Sequence, residues 1–424
     1  MPSPTKHAVL APSASKRWLT CTPSARLDER LRQRYGERDS ADAAEGTKAH
    51  ALGELKIRYA VWRADKMTAA KHGAMSPEER KAYQGINAAR YKALRKELGD
   101  IPEDMERATD TYADVVMERL EAHRGGELFL EQRVSMTDFA PECSGTSDCI
   151  IVSNDLLEII DYKNGRTDGM GHRGVPVSAE GNPQLRLYAV GATLRFWPLY
   201  EFEAVRYSIV QPNLDSVSRE AMTVTELMDW AGQYVYPRAR LAFDGKGEFV
   251  PGDHCYYCAA KSVCAARAAE ALKVFDYGLQ GSGELSDAQI LDILPRLDAA
   301  EEWIKDIRAY TEDRALHGDR IPGYKLVRGR RPGRNWTDAD EAKAQLLRSG
   351  YGPEQIEETK LKSVAEMEKV IGKKAFSALL AGLVKQDEGK LRLVPESDPR
   401  PEYNSAEAAF SDMVESKPDE TENT

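Results

Sequence analysis

The sequence contains no run of apolar residues long enough to cross a membrane. Its first residues, MPSPTKHAVLAPSASK, lack the apolar segment of a signal peptide. No internal repeat is visible, which argues against a solenoid. These absences predict a protein of the cytoplasm that has no membrane partner.

Positive charge is in deficit, since the formal net charge is −10. The deficit is uneven: residues 396–424 hold nine Asp and Glu against Arg400 and Lys417. The rest of the chain is close to neutral and includes basic patches such as KLVRGRRPGR at 325–334. Because local patches decide phosphate binding, the net charge leaves a nucleic-acid partner open.

Cysteine is scarce, with six residues in 424. In a cytoplasmic chain this number does not indicate a disulfide framework. Three of the cysteines nevertheless fall within ten residues, Cys255, Cys258 and Cys264, and such spacing is typical of a metal or cluster site.

Hydrophobic periodicity predicts helices over about 13–35 and 41–64, strands at 127–134, 145–152, 156–163 and 202–211, and helices from Asn182 and over about 223–243. This order predicts an α/β fold with a mixed central sheet. We expect one domain over 1–277 with a helical insertion at about 65–125. A mostly helical accessory region with a basic strand would occupy 278–395, and an acidic disordered tail 396–424.

The stretch GTSDCIIVSNDLLEIIDYKNG at 145–165 predicts a β-hairpin whose two-residue turn is Asn154–Asp155. Carried along the arms, this register places Asp148 directly opposite Asp161 on one face. Lys163, two residues further on, points to the same face.

Like charges placed opposite each other are destabilising unless a cation compensates them, and carboxylate oxygens suit Mg²⁺ or Mn²⁺. Two carboxylates and an ammonium group suit phosphodiester hydrolysis. Taken alone, however, D-x(12)-D-x-K is a weak pattern, and a solvated strand end with a surface ion pair explains it equally well.

Flanking motifs favour the metal site. His50 lies on a predicted helix in EGTKAH, and Gln184 and Tyr188 are four residues apart on another. The ordered set of helical His, G-x-x-D, D-x-K and Q-x-x-x-Y resembles the RecB-like branch of the PD-(D/E)XK nucleases. Two departures are Ser147, where the superfamily pattern has proline, and an Asp rather than a Glu as the second acid.

The resemblance implies a PD-(D/E)XK, restriction-endonuclease-like core. It implies metal binding by His50, Asp148, Asp161 and the backbone carbonyl of Tyr162. It also implies catalytic roles for Asp148, Asp161, Lys163, Gln184 and Tyr188, with Glu45 and Glu54 as neighbours.

The cysteine trio and the single Cys21 bracket this predicted core. The pattern resembles iron–sulfur nucleases, including the AddB-type domain and CRISPR-associated RecB-like exonucleases. The resemblance implies a [4Fe–4S] cluster bound by Cys21, Cys255, Cys258 and Cys264. Structural Zn²⁺ is the alternative. Cys143 and Cys149 are predicted to be core residues, with Cys149 facing away from Asp148.

Segments including SASKRWLTC, GKKAF and LVPESDPRP resemble a phage- and prophage-borne family of RecB-like nucleases over about 8–402. The resemblance implies a Mg²⁺- or Mn²⁺-dependent deoxyribonuclease, an exonuclease that uses metal-activated water in phage recombination or DNA processing. Its partners would be DNA and a recombination or annealing protein, and oligomers are possible. If the protein is phage-encoded, it would act in the host cytoplasm. A DNA-end-binding module that does not cut is the alternative. Four arginines of the basic segment could follow a DNA backbone: Arg328, Arg330, Arg331 and Arg334.

Overall fold

The computed structural model describes residues 8–35, 41–65, 69–123, 125–165, 175–275, 284–327, 339–349, 364, 370 and 372–380. The chain divides into two compact units, Met1–Val327 and Arg328–Thr424. Within the described residues, no helix is long and apolar enough to cross a membrane.

The first unit is built on five strands. They are β1 (Glu127–Ser135), β2 (Ser144–Val152), β3 (Leu156–Tyr162), β4 (Ala204–Gln211) and β5 (Ser216–Thr223). The strand order is β1-β2-β3-β4-β5, with β3 and β4 parallel and the other neighbours antiparallel. The predicted α/β fold with a mixed sheet is therefore confirmed.

Helices cover both faces of this sheet. The first-unit helices are α1 (Ser15–Thr20), α2 (Ser24–Tyr35), α3 (Ala41–Ala64), α4 (Ala69–Ala74), α5 (Pro77–Ala82), α6 (Ala88–Glu97), α7 (Glu103–Ala122), α8 (Pro183–Phe196), α9 (Val224–Trp230), α10 (Tyr236–Asp244), α11 (Ala265–Leu272) and α12 (Asp287–Leu316). One core layer lies between the sheet and α1, α8, α9 and α10, and the other lies between the sheet and α3 and α7.

Local sequence explains several of these boundaries. Helix α8 begins after Asn182, whose side chain accepts hydrogen bonds from the backbone N–H groups of Gln184 and Leu185. Helix α12 begins with a capping box at Ser286. Helix α3 lies close to its predicted range of about 41–64, and α12 lies close to the range of about 286–316 that its amphipathic pattern predicts.

Two predicted helices differ in the structure, and one strand is additional. The helix expected over 13–35 is broken at Cys21 into α1 and α2. The helix expected over 223–243 contains a π-helical segment, Ala231–Val235, between α9 and α10. Strand β5 was not predicted, because it is an edge strand with no fully buried residue and hence no strong apolar alternation.

The second unit contains α13 (Ala339–Arg348) and α14 (Lys373–Leu380), where Phe376 is buried. Residues 324–327 of the predicted basic strand are in neither helix nor strand. Its remainder, with Arg328, Arg330, Arg331 and Arg334, lies outside the described residues, as does the acidic segment 396–424.

A buried ionic network fixes α7 to the sheet. Glu158 on β3 is fully buried and accepts hydrogen bonds from Arg119 at 2.9 Å and from Ser208 at 3.3 Å, and it lies 2.8 Å from His123 Nε2. Burial alone would raise the pKa of Glu158, but the hydrogen bonds with His123 and Arg119 outweigh it and lower the pKa.

We expect Glu158→Gln to lower the free energy of unfolding by about 3 kcal/mol, because Arg119 would lose its buried counter-charge. The stabilisation should be present above the ordinary Glu pKa of about 4.3 and be lost as the pH falls below it. Urea unfolding at neutral and acidic pH measures both effects. Glu118→Gln, at an exposed position of α7, is the control. An equal loss in both variants, or a loss independent of pH, would contradict this role.

Candidate metal centre

The predicted hairpin forms, and it places both acids at the same end. Strands β2 and β3 pair from Val152 with Leu157 to Cys149 with Ile160, which is the register predicted from the Asn154–Asp155 turn. Asp148 and Asp161 follow one step beyond the last of these pairs. The Asp148 carboxylate accepts a hydrogen bond from the Tyr162 backbone N–H at 2.8 Å, so the acid is fixed against the end of β3.

Asp161 is the buried acid of the pair. Its Oδ2 atom lies 2.9 Å from Lys163 Nζ, and its Oδ1 atom accepts a hydrogen bond from the Gln184 amide at 3.2 Å. Burial raises the pKa of Asp161, and Lys163 offsets only part of this effect since the charge of Asp148 raises it further. Keeping Asp161 ionised therefore has a free-energy cost that a bound cation would reduce.

Lys163 remains a cation at the edge of this site. Burial alone would lower the pKa of Lys163, but the charge and hydrogen bond of Asp161 outweigh it and raise the pKa. Its backbone N–H donates to Val210 of β4 at 3.0 Å, which holds the lysine just past the end of β3. A protonated amine is thus fixed beside the two carboxylates.

His50 reaches Asp148 from α3, which lies on the face of the sheet opposite to α8. Its Nδ1 atom lies 3.3 Å from Asp148 Oδ2, and its ring packs edge-on against Tyr162 with centroids 5.4 Å apart. Burial would lower the pKa of His50, but the hydrogen bond and charge of Asp148 outweigh it and raise the pKa.

Glu131 joins this group, and the sequence analysis missed it. The ligand atoms of His50, Glu131 and Asp148 all lie within 4.8 Å of one another. Glu131 faces Asp148 in the β1–β2 register but has a φ of +49°, and the pairing of the two strands is interrupted at this position. Burial of its carboxyl group, and then the charge of Asp148, raise the pKa of Glu131 to about 7, although the residue is exposed overall.

The sequence does not place Glu131 opposite Asp148, because the connection between β1 and β2, residues 136–143, is too long to fix the register of these two strands. The left-handed backbone at Glu131, which is uncommon for a residue other than glycine, is a tertiary feature that the strand pattern does not encode.

Tyr188 lies one turn after Gln184 on α8 and packs on the start of β2. A Cβ atom at Gly145 would lie 2.8 Å from the Tyr188 ring, so the glycine of G-x-x-D leaves the space that the ring needs. Burial and then the charges of Asp161 and Asp148 raise the pKa of Tyr188, so it carries a hydroxyl proton at neutral pH.

The other predicted neighbours differ in position. The Tyr162 hydroxyl donates to Asn164 at 2.9 Å, and the Asn164 amide donates to Glu45 at 3.1 Å, which connects α3 to the residue after Lys163. Glu54 forms an ion pair with Arg58 at 2.8 Å. The role of the Tyr162 carbonyl stays a prediction.

The four predicted cluster cysteines line one cavity. Cys21, Cys255, Cys258 and Cys264 share it with Arg17 and His254. Within the described residues, no three cysteine Sγ atoms lie within 4.8 Å of one another. The choice between a [4Fe–4S] cluster and Zn²⁺ at these cysteines stays a prediction.

Hydrogen bonds hold the two halves of this cysteine site together. Asp28 on α2 accepts from the Ala259 backbone N–H at 2.6 Å and is ion-paired with Arg17 at 3.1 Å. The Thr22 hydroxyl donates to the Lys246 carbonyl at 2.7 Å. Cys143 and Cys149 are buried in opposite core layers, away from this cavity.

Comparisons with known proteins add a family. The crystal structure of SSO0001 is 15% identical in sequence, with 57% of this chain and 94% of that protein covered and a TM-score of 0.21. A similarity this low carries no argument about fold or activity. The model of a family described as "Protein of unknown function (DUF2800)" matches residues 7–401. Because that match spans most of the 424 residues, the chain belongs to the DUF2800 family.

Proposed function

We propose that this chain is a deoxyribonuclease dependent on Mg²⁺ or Mn²⁺, with a RecB-like PD-(D/E)XK core. One observation carries the proposal. Three carboxylates, a histidine and a lysine from four separate elements converge at one end of the β2–β3 hairpin. Uncompensated carboxylates repel one another, so such a cluster is favoured where a cation binds.

The donor set fits a hard divalent cation. His50, Glu131 and Asp148 already lie within mutual ligand distance, and Asp161 lies at the same end of the hairpin. Carboxylate oxygens with one imidazole suit Mg²⁺ and Mn²⁺. When bound, such an ion lowers the pKa of water and neutralises phosphate charge.

The remaining side chains support hydrolysis of a phosphodiester. Lys163 places a fixed positive charge where negative charge grows on the phosphate during the reaction. Gln184 orients Asp161 through its 3.2 Å hydrogen bond, and Asp161 in turn orients Lys163. No side chain in the group is placed as a covalent nucleophile with an adjacent base, which favours direct attack by water.

DNA as the substrate, exonuclease action and a role in phage recombination with an annealing partner rest on the motif resemblance. The cysteine cavity supports the proposed relation to iron–sulfur nucleases, since Cys21 is brought to the Cys255–Cys264 loop. A [4Fe–4S] cluster held there would connect the two ends of the nuclease region.

The test is a cleavage assay with purified full-length protein. We expect degradation of linear DNA with Mg²⁺ or Mn²⁺, none with EDTA, and a loss of about 10²-fold in rate for Lys163→Ala. Lys246→Ala, at an exposed lysine paired with Asp244, is the control. A covalently closed circle should resist an exonuclease. No cleavage in any divalent cation, or equal rates for the Lys163 variant, would refute the proposal.

A further inference from the structure

Two adjacent tyrosines in the cysteine loop are exposed to solvent. Tyr256 is 55% exposed and Tyr257 is 71% exposed, and they lie between Cys255 and Cys258. Their rings meet edge to face, with centroids 4.8 Å apart. Aromatic rings are among the largest contact surfaces that a side chain can offer, and their exposure beside a charged cluster points to a ligand.

The backbone holds these rings in place. They end a short 3₁₀ helix, Asp253–Tyr257, in which the Cys255 N–H donates to the Gly252 carbonyl at 2.9 Å. The Cys258 N–H donates to the Cys255 carbonyl at 3.0 Å, and the Ala259 N–H donates to the Asp28 carboxylate. The backbone that carries the two tyrosines is therefore fixed, which lowers the ordering entropy that binding on them would cost.

The tyrosine pair lies next to the candidate metal centre. Tyr257 lies near enough to Lys163 to be one of the groups that raise the pKa of its ammonium. Helix α1 packs against both α8, which carries Gln184, and the 3₁₀ helix of the cysteine loop. Lys261 Nζ lies 5.1 Å from the Tyr256 ring centroid and is paired with Asp306 Oδ1 at 2.8 Å, so an ion pair packs against this ring.

We propose that Tyr256 and Tyr257 form a platform on which unpaired bases of a single DNA strand stack while its phosphate reaches Lys163 and the carboxylates. This inference rests on the proposed function and specifies its substrate as a single strand. Every base has a face that can stack on an aromatic ring, and Lys163 offers a positive charge to the phosphate of the same strand. In duplex DNA the internal base faces are already stacked.

The experiment measures binding separately from cleavage. Fluorescence anisotropy with Ca²⁺ in place of Mg²⁺ compares a labelled oligothymidine of about 20 nucleotides with a duplex of equal length. We expect Tyr257→Ala and Tyr256→Ala each to weaken single-strand binding about tenfold. Tyr257→Phe should stay within about twofold of wild type, because it keeps the ring, and duplex affinity should be unchanged.

Trp197→Ala is the matched control. Trp197 is an aromatic residue, 51% exposed, at the opposite end of α8 from Gln184. Its removal should leave single-strand affinity unchanged. Unchanged affinity in both tyrosine variants, an equal loss in Tyr257→Phe, or an equal loss in Trp197→Ala would overturn the platform.

Crosslinking of the wild-type protein avoids any folding effect of the substitutions. An oligonucleotide carrying 5-iodouracil should photocrosslink to Tyr256 or Tyr257, and crosslinks confined to other residues would overturn the inference. If cleavage occurs with any divalent ion but the crosslinks lie elsewhere, only the platform is wrong. If the tyrosines crosslink and control binding while no cation supports cleavage, the platform stands and the proposed nuclease function fails.

Discussion

Asp148→Asn should lower the rate of DNA cleavage by about 10³-fold or more while leaving the fold intact. Asp148 is the acid that the other groups share: His50 lies 3.3 Å from it, Glu131 faces it, and the Tyr162 N–H donates to it. Removing its charge removes a central ligand from the proposed cation site. A loss of 10³ corresponds to about 4 kcal/mol of transition-state stabilisation, within the range expected of a metal's charge.

Asparagine has nearly the same shape as aspartate, so measurements of unfolding can separate the structural role of Asp148 from its proposed role as a cation ligand. The asparagine Oδ1 can still accept from the Tyr162 N–H at the end of β3. Without divalent ions, we expect the unfolding free energy of Asp148→Asn to stay within about 1 kcal/mol of wild type. The substitution removes a negative charge that faces the negative charge of Glu131, and this relief of repulsion offsets the lost contacts. Addition of Mn²⁺ should raise the melting temperature of wild type and not of the variant.

Asp155→Asn is the control on the same hairpin. Asp155 lies in the exposed turn at the far end from the carboxylates, where asparagine is equally suited to the backbone. It should cleave DNA and respond to Mn²⁺ as wild type does. Comparable cleavage by Asp148→Asn and Asp155→Asn would mean that the carboxylate cluster is not the reaction centre.

Much of this cluster could be placed from sequence because its elements are local. A two-residue turn fixes the register of its hairpin, so Asp148 and Asp161 could be aligned without a structure, whereas Gln184 was included through the motif resemblance. The contact of His50 with Asp148 depends on how α3 packs across the sheet. Its inclusion rested on resemblance, not on any periodicity.

The features that were missed depend on tertiary geometry. Glu131 enters through an interruption in the β1–β2 pairing, and a strand pattern cannot show one. Strand β5 lies at the sheet edge, where burial does not impose alternation. The helix break at Cys21 turns that cysteine toward the loop at 255–264, and the helical pattern continues through it.

Cys21→Ser should abolish binding of the proposed cofactor and destabilise the first unit strongly. Cys21 is 5% exposed and lines the cavity with Cys255, Cys258 and Cys264. A group bound by all four would close a loop of more than two hundred residues. By analogy with a disulfide, the chain-entropy estimate for such a loop is about 5 kcal/mol. We expect a corresponding fall in the urea midpoint, loss of metal, and loss of absorbance near about 400 nm.

Cys143→Ala shows what the loss of an unrelated buried cysteine costs. Cys143 is fully buried in the sheet core and does not line the cavity. Its truncation should lower stability by about 1 kcal/mol through lost packing, with metal content unchanged.

Anaerobic purification followed by iron and zinc analysis identifies the group bound by the cysteines. About four irons per chain in wild type, absent only from Cys21→Ser, support the cluster, while one zinc and no iron would replace it with the zinc alternative. Retention of metal and stability by Cys21→Ser would separate Cys21 from the site, and the bonds from Asp28 and Thr22 would then suffice to hold α2 against the loop.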